Sequence, residues 1–368
     1  MTIKPVDFIE EYYYLKEELD AAYGRVMQSG RYILGEEVSG FEKEFAKKSG
    51  SKYCVGVGNG LDAIQLALHA IGIGRGDEVI VPSNTYIATW IGVSLTGAKP
   101  IPVDPDGKTY NIEPSLIEKN ITKKTKAILP VHLYGQPADM DPISEIAERY
   151  NLRVIDDAAQ SHGAKYKGRP IGSLADATAF SFYPTKNLGG YGDGGGVTTD
   201  DKEIYEKLKA LRNYGESKKY VNDVIGFNSR LDEIQAAFLR VKLKHLNQII
   251  EKKRKIAEYY AENIINKHVT LPYTLPGAYH VWHQFVIRSN RRTELKNYLR
   301  ANDIETLVHY PIPPLMQKAY LDLFPVDTKT PVAKLLSTEV LSLPIHFLLG
   351  EEEIKNLVRA LNRFRPIR

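Results

Sequence analysis

Ala179–Gly196 reads AFSFYPTKNLGGYGDGGG, and the rest of the sequence is organised around this stretch. It begins with an apolar alternation typical of a short strand, reaches Lys186, and continues as a glycine-rich loop. Backbone packs closely around glycine, so a lysine at this point can lie at the floor of a cleft. Removal from water would lower the pKa of its amine, and a neutral amine can react with an aldehyde. The alternative interpretation is a solvated lysine on a flexible surface loop.

The part of the chain before this stretch repeats one unit, a short apolar strand followed by a loop and a helix. The predicted strands cover residues 53–57, 78–82, 99–103, 127–131 and 152–155. This alternation predicts the α/β class, with a largely parallel sheet wrapped by helices, and ligands bind beyond the carboxyl ends of such strands. The features that follow predicted strand ends are the glycine turn 58–60, Tyr86, His132, Asp157 and Lys186. We therefore expect them at one site.

After residue 200 the sequence no longer repeats the unit of strand, loop and helix. A long amphipathic helix is predicted over 232–255, and strands at 282–288 and 305–310 follow it together with further helices. We therefore predict two domains, a large one over 1–250 and a smaller α+β domain over 251–368.

The composition of the 368-residue chain excludes several classes of protein. A net charge of +4 with 26% charged residues is too little to indicate nucleic acid as the main partner. No apolar run has the length of a membrane helix, and the N-terminal residues have no apolar signal core, so a cytoplasmic protein without a membrane partner is expected. The single Cys54 excludes a disulfide framework and is expected to be a buried strand residue. No metal site is predicted.

The residues expected at the strand ends fit the chemical needs of pyridoxal phosphate. Its aldehyde needs the amine of Lys186, and its pyridine nitrogen needs a carboxylate, which Asp157 can supply. Its phosphate needs N–H groups at the start of a helix, which Gly60 and Leu61 offer, and a hydroxyl, which Ser181 offers.

Several of these residues also have a simpler interpretation. Tyr86 could stack on the ring face of a cofactor, but it could equally be a core aromatic. The turn 58–60 could be an ordinary tight turn into a helix. Asp156 and Asp157 could be a solvated pair that caps a following helix.

Five stretches of the sequence together resemble the nucleotide-sugar aminotransferases of the DegT/DnrJ/EryC1/StrS family. They are VGVGNGLDAIQLAL, VPSNTYIATW, VIDDAAQSHGA, SFYPTKNLGGYGDGGG and GFNSRLDEIQAAFLRVKL. The resemblance covers almost the whole chain. It implies the aspartate-aminotransferase-like fold (fold type I), a homodimer with sites at the subunit interface, and pyridoxal phosphate as cofactor, with pyridoxamine phosphate as its second form.

The resemblance also implies roles for individual residues. Lys186 matches the catalytic lysine that holds the cofactor, Asp157 matches the partner of the ring nitrogen, and Gln160 matches the residue that bonds to the ring hydroxyl. Tyr86 matches the stacking aromatic. The residues that match the phosphate cradle are Gly60, Leu61, Ser181 and Asn228 of the partner subunit. The residues expected to line the sugar site are His309, Tyr310 and Tyr183.

The implied reaction moves an amino group from L-glutamate to a keto sugar linked to a nucleotide. The stretch YVNDVIGFNSRLDEIQAAFLRVKL most resembles enzymes that aminate C3 of a dTDP-linked 3-keto-6-deoxyhexose in deoxyamino-sugar biosynthesis. One alternative is amination at C4 of a UDP- or dTDP-linked 4-keto sugar. Another is a non-catalytic regulatory protein that binds the cofactor or the sugar. Relatives that dehydrate sugars have histidine in place of the lysine, so Lys186 argues against that reaction.

Overall fold

The computed structural model describes residues 2–324 and 328–366. The helices in these ranges are α1 Phe8–Ser29, α2 Glu36–Ser49, α3 Gly60–Ala70, α4 Ile87–Leu95, α5 Met140–Tyr150, α6 Lys202–Leu211, α7 Glu233–Asn263, α8 Arg292–Ala301, α9 Lys318–Leu321, α10 Pro331–Glu339 and α11 Glu351–Arg363. The strands are β1 Tyr53–Val57, β2 Glu78–Pro82, β3 Lys99–Val103, β4 Thr125–Ile128, β5 Arg153–Asp157, β6 Lys165–Tyr166, β7 Arg169–Pro170, β8 Ala177–Ser181, β9 Gly195–Thr199, β10 Glu216–Lys218, β11 Val221–Asn222, β12 Ala278–Tyr279, β13 Phe285–Arg288 and β14 Val340–Leu343. None of these helices combines the length and the apolar character needed to span a membrane.

The central sheet has seven strands in the order β1-β9-β8-β5-β4-β2-β3. The pairs β2/β3, β2/β4, β4/β5 and β5/β8 are parallel. Helices cover both faces of the sheet: α3, α4 and α6 pack on one face, and α2, α5 and the first half of α7 pack on the other. This architecture confirms the predicted α/β class with a mostly parallel sheet.

The last glycines of the quoted stretch are part of a strand, which corrects the prediction of a continuous loop. Gly195 and Gly196 belong to β9, which pairs antiparallel with both β1 and β8. A side chain at Gly195 would run into the backbone of Asn59, just before α3. The absence of a side chain at Gly195 therefore lets the first residues of α3 approach the sheet.

Beyond the sheet, α7 is continuous across residue 250, where we predicted a domain boundary. Ile256 and Tyr260 in its second half pack into a separate apolar cluster with β13, β14, α8 and α11, and Ile3 joins this cluster. The domain division itself stays a prediction.

The prediction of a strand over 305–310 is wrong. Leu307 pairs with Ser342 through two backbone hydrogen bonds of 3.2 and 2.8 Å, and this is an isolated bridge and not a strand. After this bridge to β14 the chain turns away, and His309 and Tyr310 lie at the candidate site.

Candidate active site

Lys186 lies in a tight loop between β8 and β9. Its backbone N–H donates to the carbonyl of Tyr183 at 2.9 Å. A Cβ at Gly189 would lie 2.5 Å from the carbonyl oxygen of Pro184, so only glycine lets the loop curl this closely. The Lys186 side chain is half-buried. Burial lowers the pKa of its amine to about 8, against the opposing effect of the negative charge of Asp157. A larger fraction of this amine is neutral at physiological pH than of an ordinary lysine.

Asp157 is the last residue of β5 and is buried. One carboxylate oxygen, Oδ2, accepts a hydrogen bond from the hydroxyl of Thr89 at 2.8 Å, and the other accepts from the backbone N–H of Ala159 at 3.1 Å. Burial raises the pKa of Asp157, while these two hydrogen bonds and the positive charge of Lys186 oppose the rise. Each charge of the Lys186–Asp157 pair therefore acts on the other across the site.

Asp156 has a different environment although it is the neighbour of Asp157. It is completely buried, and its Oδ2 lies 3.2 Å from Nε2 of His132, which is also buried. The Nδ1 of His132 accepts from the N–H of Ala138 at 3.0 Å, so the ring proton lies on Nε2 and faces Asp156. Residues 158–164 form turns, so the alternative of an aspartate pair capping a following helix is wrong.

The start of α3 comes close to the end of β8. Gly60 opens α3, and the Asn59 side chain caps it by accepting from the N–H of Asp62 at 2.8 Å. The N–H groups of Gly60 and Leu61 have no acceptor within the helix, because they belong to its first turn. A Cβ at Gly60 would lie 2.5 Å from Cβ of Ser181. This contact brings free N–H groups and a hydroxyl together, which is the donor set that a phosphate group requires.

Gln160 links this region to two aromatic residues. Its Oε1 accepts from the backbone N–H of Tyr134 at 2.6 Å, and its Nε2 donates to the hydroxyl of Tyr310 at 3.0 Å. The Tyr310 ring lies 5.2 Å from the ring of Tyr86, centroid to centroid. Tyr86 is 54% exposed, so it is not the core aromatic of the alternative interpretation.

His309 and Tyr183 lie on the two segments that border the lysine. The Nδ1 of His309 lies 2.8 Å from the hydroxyl of Ser342, and its carbonyl accepts from the hydroxyl of Tyr134. Burial lowers the pKa of His309 to about 4, and the charge of Lys186 acts in the same direction, so the imidazole is neutral near pH 7. Tyr183 is half-exposed, three residues before Lys186.

Asn228 has no direct place in this group. Its side chain is exposed, and its backbone forms a bridge with Asn213. The following residue, Ser229, is buried near the start of α3, where its hydroxyl accepts from the N–H of Gly58 at 3.0 Å and donates to Asp62 at 2.6 Å.

The sequence interpretation missed Thr89 and Tyr134. Thr89 lies on α4, and its hydroxyl, 2.9 Å from that of Thr85, holds Asp157. A buried polar residue in an otherwise apolar helix was the available signal. Tyr134 acts through its backbone N–H, which no sequence pattern reveals. Across the described ranges, no cluster of three or more histidine, cysteine, aspartate or glutamate side chains has a geometry suited to a metal ion.

The fold and this site define a class of enzyme with a lysine of lowered pKa and a buried carboxylate at the carboxyl edge of an α/β sheet. The chain belongs to the DegT/DnrJ/EryC1/StrS aminotransferase family, whose model matches residues 14–362. Pyridoxal phosphate is the cofactor of this family.

Individual relatives match over nearly the full chain. A dTDP-3-amino-3,6-dideoxy-alpha-D-galactopyranose transaminase of Aneurinibacillus thermoaerophilus is 52% identical over 95% of this chain and 96% of its own. A dTDP-3-amino-3,4,6-trideoxy-alpha-D-glucose transaminase of Streptomyces venezuelae is 50% identical over 92% and 90%. The crystal structure of S. venezuelae DesV in complex with a ketimine intermediate superposes with a TM-score of 0.96 at 47% identity, covering 98% of both chains.

Proposed function

We propose that this chain transfers an amino group from L-glutamate to C3 of a dTDP-linked 3-keto-6-deoxyhexose, and that it does so in the cytoplasm. The observation that carries the proposal is an amine of lowered pKa, Lys186, placed near enough to a buried carboxylate, Asp157, for each charge to shift the pKa of the other. The choice of C3 and of a dTDP-linked sugar rests on the two transaminase relatives, whose names both specify a dTDP-3-amino sugar. A single, buried and free Cys54 is compatible with a reducing compartment.

The described residues fit the cofactor group by group. Asp157 would pair with the ring nitrogen, Gln160 would bond to the ring hydroxyl, and Tyr86 would cover the ring face. The first turn of α3 and the hydroxyl of Ser181 would hold the phosphate, because the missing side chain at Gly60 lets the start of α3 lie directly beside Ser181. When bound, the cofactor supplies a sink for the electrons of the substrate carbon.

Lys186 has two functions in this proposal. Its neutral amine would hold the cofactor aldehyde, and once released it would move a proton to or from the substrate carbon. General acid–base transfer works best when the pKa of the group is near the operating pH, and a pKa of about 8 meets that condition better than the ordinary value of 10.5. His309, Tyr310 and Tyr183 would line the sugar side, where the neutral imidazole of His309 can donate or accept a hydrogen bond.

The pH dependence of cofactor capture tests the environment of Lys186. Only the neutral amine attacks the aldehyde, so the capture rate of the apoprotein should rise with pH and level off above about 8, the pKa of Lys186. A solvated lysine would continue to gain reactivity up to about pH 10.4. Stopped-flow absorbance after mixing apoprotein with pyridoxal phosphate measures this rate. A profile that keeps rising well above pH 9, one unit beyond the expected pKa of about 8, would contradict the assignment.

Gly60→Ala should weaken cofactor binding. The new methyl group would lie 2.5 Å from Cβ of Ser181, and overpacking of this kind costs about 1–3 kcal/mol. We expect the Kd for pyridoxal phosphate to rise about tenfold or more. Titration of the apoprotein, followed by absorbance, gives the Kd. Gly24→Ala on α1 is the matched control, since nothing lies within 4 Å of the added Cβ, and its Kd should equal that of the wild type.

The homodimer is part of the proposal. The hairpin of β10 and β11 and the segment after it expose large apolar side chains, with Tyr220 at 85% and Ile225 at 95% exposure. Exposed apolar side chains grouped on one segment are typical of an interface. Asn228 follows this segment, and in the dimer it would reach the cofactor phosphate of the partner subunit.

Mixing two defective variants tests this arrangement. Lys186→Ala and Asn228→Ala should each be impaired as homodimers. In a hybrid dimer, one site loses both residues and the other regains both, so random exchange should restore about a quarter of the wild-type rate. The measurement is transaminase activity after the subunits are mixed and allowed to exchange. Activity that stays at the mean of the two separate proteins would show that Asn228 does not serve the partner's site.

The reaction itself is tested in two half-reactions. L-glutamate alone should change the absorbance of the bound cofactor and release 2-oxoglutarate, and the kinetics with the sugar should be ping-pong. The second half-reaction is run with dTDP-3-keto- and dTDP-4-keto-6-deoxyhexoses, and mass spectrometry and NMR locate the new amine. Amination at C4 would establish the alternative substrate. Binding of cofactor and sugar without consumption of glutamate would indicate a regulatory protein.

A further inference from the structure

A second lysine, Lys253 on α7, is buried below the loop that carries Lys186. The residue is 6% exposed. The amine Nζ donates to Oδ1 of Asn187 at 2.8 Å and to the backbone carbonyl of His283 at 3.2 Å. Removing a lysine amine from water is costly unless its hydrogen bonds are replaced, so these two contacts account for its burial. The same burial lowers the pKa of Lys253 to about 7.

Asn187 transmits this contact to the catalytic loop because it directly follows Lys186. It is buried, and its Nδ2 donates to the carbonyl of Val281 at 2.9 Å. The Asn187 amide is therefore held from both ends, by α7 through Lys253 and by the segment before β13 through Val281. Because Oδ1 and Nδ2 of Asn187 both have fixed partners, the backbone at this residue has little freedom. The orientation of the Lys186 side chain depends on that backbone.

The same segment also reaches the other side of the cofactor site. The N–H of Val281 donates to the carbonyl of Gly135 at 2.9 Å, and the N–H of Gln284 donates to the carbonyl of Tyr134 at 3.2 Å. Tyr134 in turn holds Gln160 through its own N–H. A continuous chain of hydrogen bonds thus joins Lys253 to the Lys186 loop and to the residue proposed for the ring hydroxyl.

We propose that Lys253 is a positioning residue for Lys186, acting through Asn187, and this inference rests on the function proposed above. Lys253 sets the position from which the Lys186 amine exchanges its proton with the substrate carbon. A misplacement of about 1 Å in such a transfer can lower a rate by about 100-fold. The contribution of Lys253 therefore belongs to the chemical step and not to the affinity for either substrate.

The nearby cavity offers a competing role for Lys253. A cavity of about 110 Å³ is lined by Lys253 together with Lys186, His283 and His309, and a carboxylate of the amino donor could enter it. In that case the loss of Lys253 would raise the KM for L-glutamate and leave kcat unchanged. The hydrogen bonds to Asn187 and His283 favour the positioning role, because they use two of the three N–H donors of the protonated side chain and both N–H donors of the neutral one.

The test uses the half-reaction of the holoenzyme with L-glutamate. Lys253→Met keeps most of the length of the side chain and removes its donors. We expect the maximal single-turnover rate per bound cofactor to fall about 10- to 100-fold, with the L-glutamate concentration that gives half of that rate unchanged. The pH at which the visible absorbance of the bound cofactor titrates should shift as well, because the Lys186 amine has moved. Lys255→Met, an exposed position on the same helix, is the matched control and should behave as the wild type.

A double-mutant cycle with Asn187→Ala completes the test. If Lys253 acts through Asn187, the double variant should be no slower than Lys253→Met alone; losses that multiply would overturn the proposal. A Lys253→Met enzyme with the wild-type maximal single-turnover rate, or with only a higher L-glutamate concentration at half of that rate, would also overturn it. If Lys253→Met does not fold, Asn187→Ala alone decides, and a wild-type rate would refute the inference. A wild-type enzyme that does not react with L-glutamate would instead refute the proposed function.

Discussion

Lys186→Ala should abolish transamination while the protein still binds pyridoxal phosphate. Alanine removes the amine whose charge acts on Asp157, and with it the base proposed to move the proton at the substrate carbon. General acid–base transfer alone contributes about 10²- to 10⁴-fold, and the loss of covalent capture adds to this. The groups proposed for the phosphate, the ring nitrogen and the ring face all remain, so the cofactor should bind noncovalently.

Two measurements check this result. Release of 2-oxoglutarate from L-glutamate reports the first half-reaction, and dialysis followed by absorbance reports retained cofactor. Lys123→Ala, which changes an exposed lysine in a loop before β4, is the control and should keep the wild-type rate. Robust turnover by Lys186→Ala would remove the basis of the proposed mechanism.

Asp157→Asn should have the second largest effect. Asparagine keeps the shape and can still accept from Thr89 at Oδ1, but it removes the negative charge that is proposed to keep the ring nitrogen of the cofactor protonated. Hydrogen bonds to charged groups are worth about 1.5–3 kcal/mol, which corresponds to a fall in kcat of about 10- to 100-fold. Single-turnover absorbance with L-glutamate measures the rate of the chemical step directly.

The adjacent Asp156 supplies a matched control for this prediction. Asp156→Asn changes an equally buried carboxylate that faces His132 instead of Lys186. The variant should therefore lose stability, seen as a lower Tm, and keep most of its single-turnover rate. If the two variants were slowed in the reverse order, Asp156 would be the partner of the cofactor and the assignment of Asp157 would be wrong.

Much of the fold could be predicted because its signals are local. Apolar strands, glycine turns and helical periodicity recur in β1–β5, and the parallel sheet and the location of the site at its carboxyl edge follow from that order. The structure brings Lys186 and Asp157 close enough for each charge to affect the other, and it brings Gly60 next to Ser181. The roles of these residues towards the cofactor stay predictions.

The strand β9 could not be predicted because its signal is not local. Glycine disfavours a strand by intrinsic preference, so Gly194–Gly196 indicate a loop. The strand β9 pairs with both β1 and β8, which are more than a hundred residues apart in the chain, and this pairing overrides that preference. The absence of a Cβ at Gly195 makes room for the start of α3. The prediction of a strand over 305–310 failed for the opposite reason: a suitable apolar pattern found only a single bridging partner.

By itself, the sequence determined the class of fold, the candidate lysine and the family resemblance, because these depend on residue type, order and spacing along the chain. Only the tertiary structure decided the surroundings that lower the pKa of that lysine. Burial lowers the pKa of Lys186, and the opposing charge belongs to Asp157, which lies on another strand. The hydrogen bonds from Thr89 to Asp157 and from Lys253 to Asn187 join elements that are far apart in sequence. Desolvation and hydrogen bonding depend on distances through space, and a linear pattern does not contain those distances.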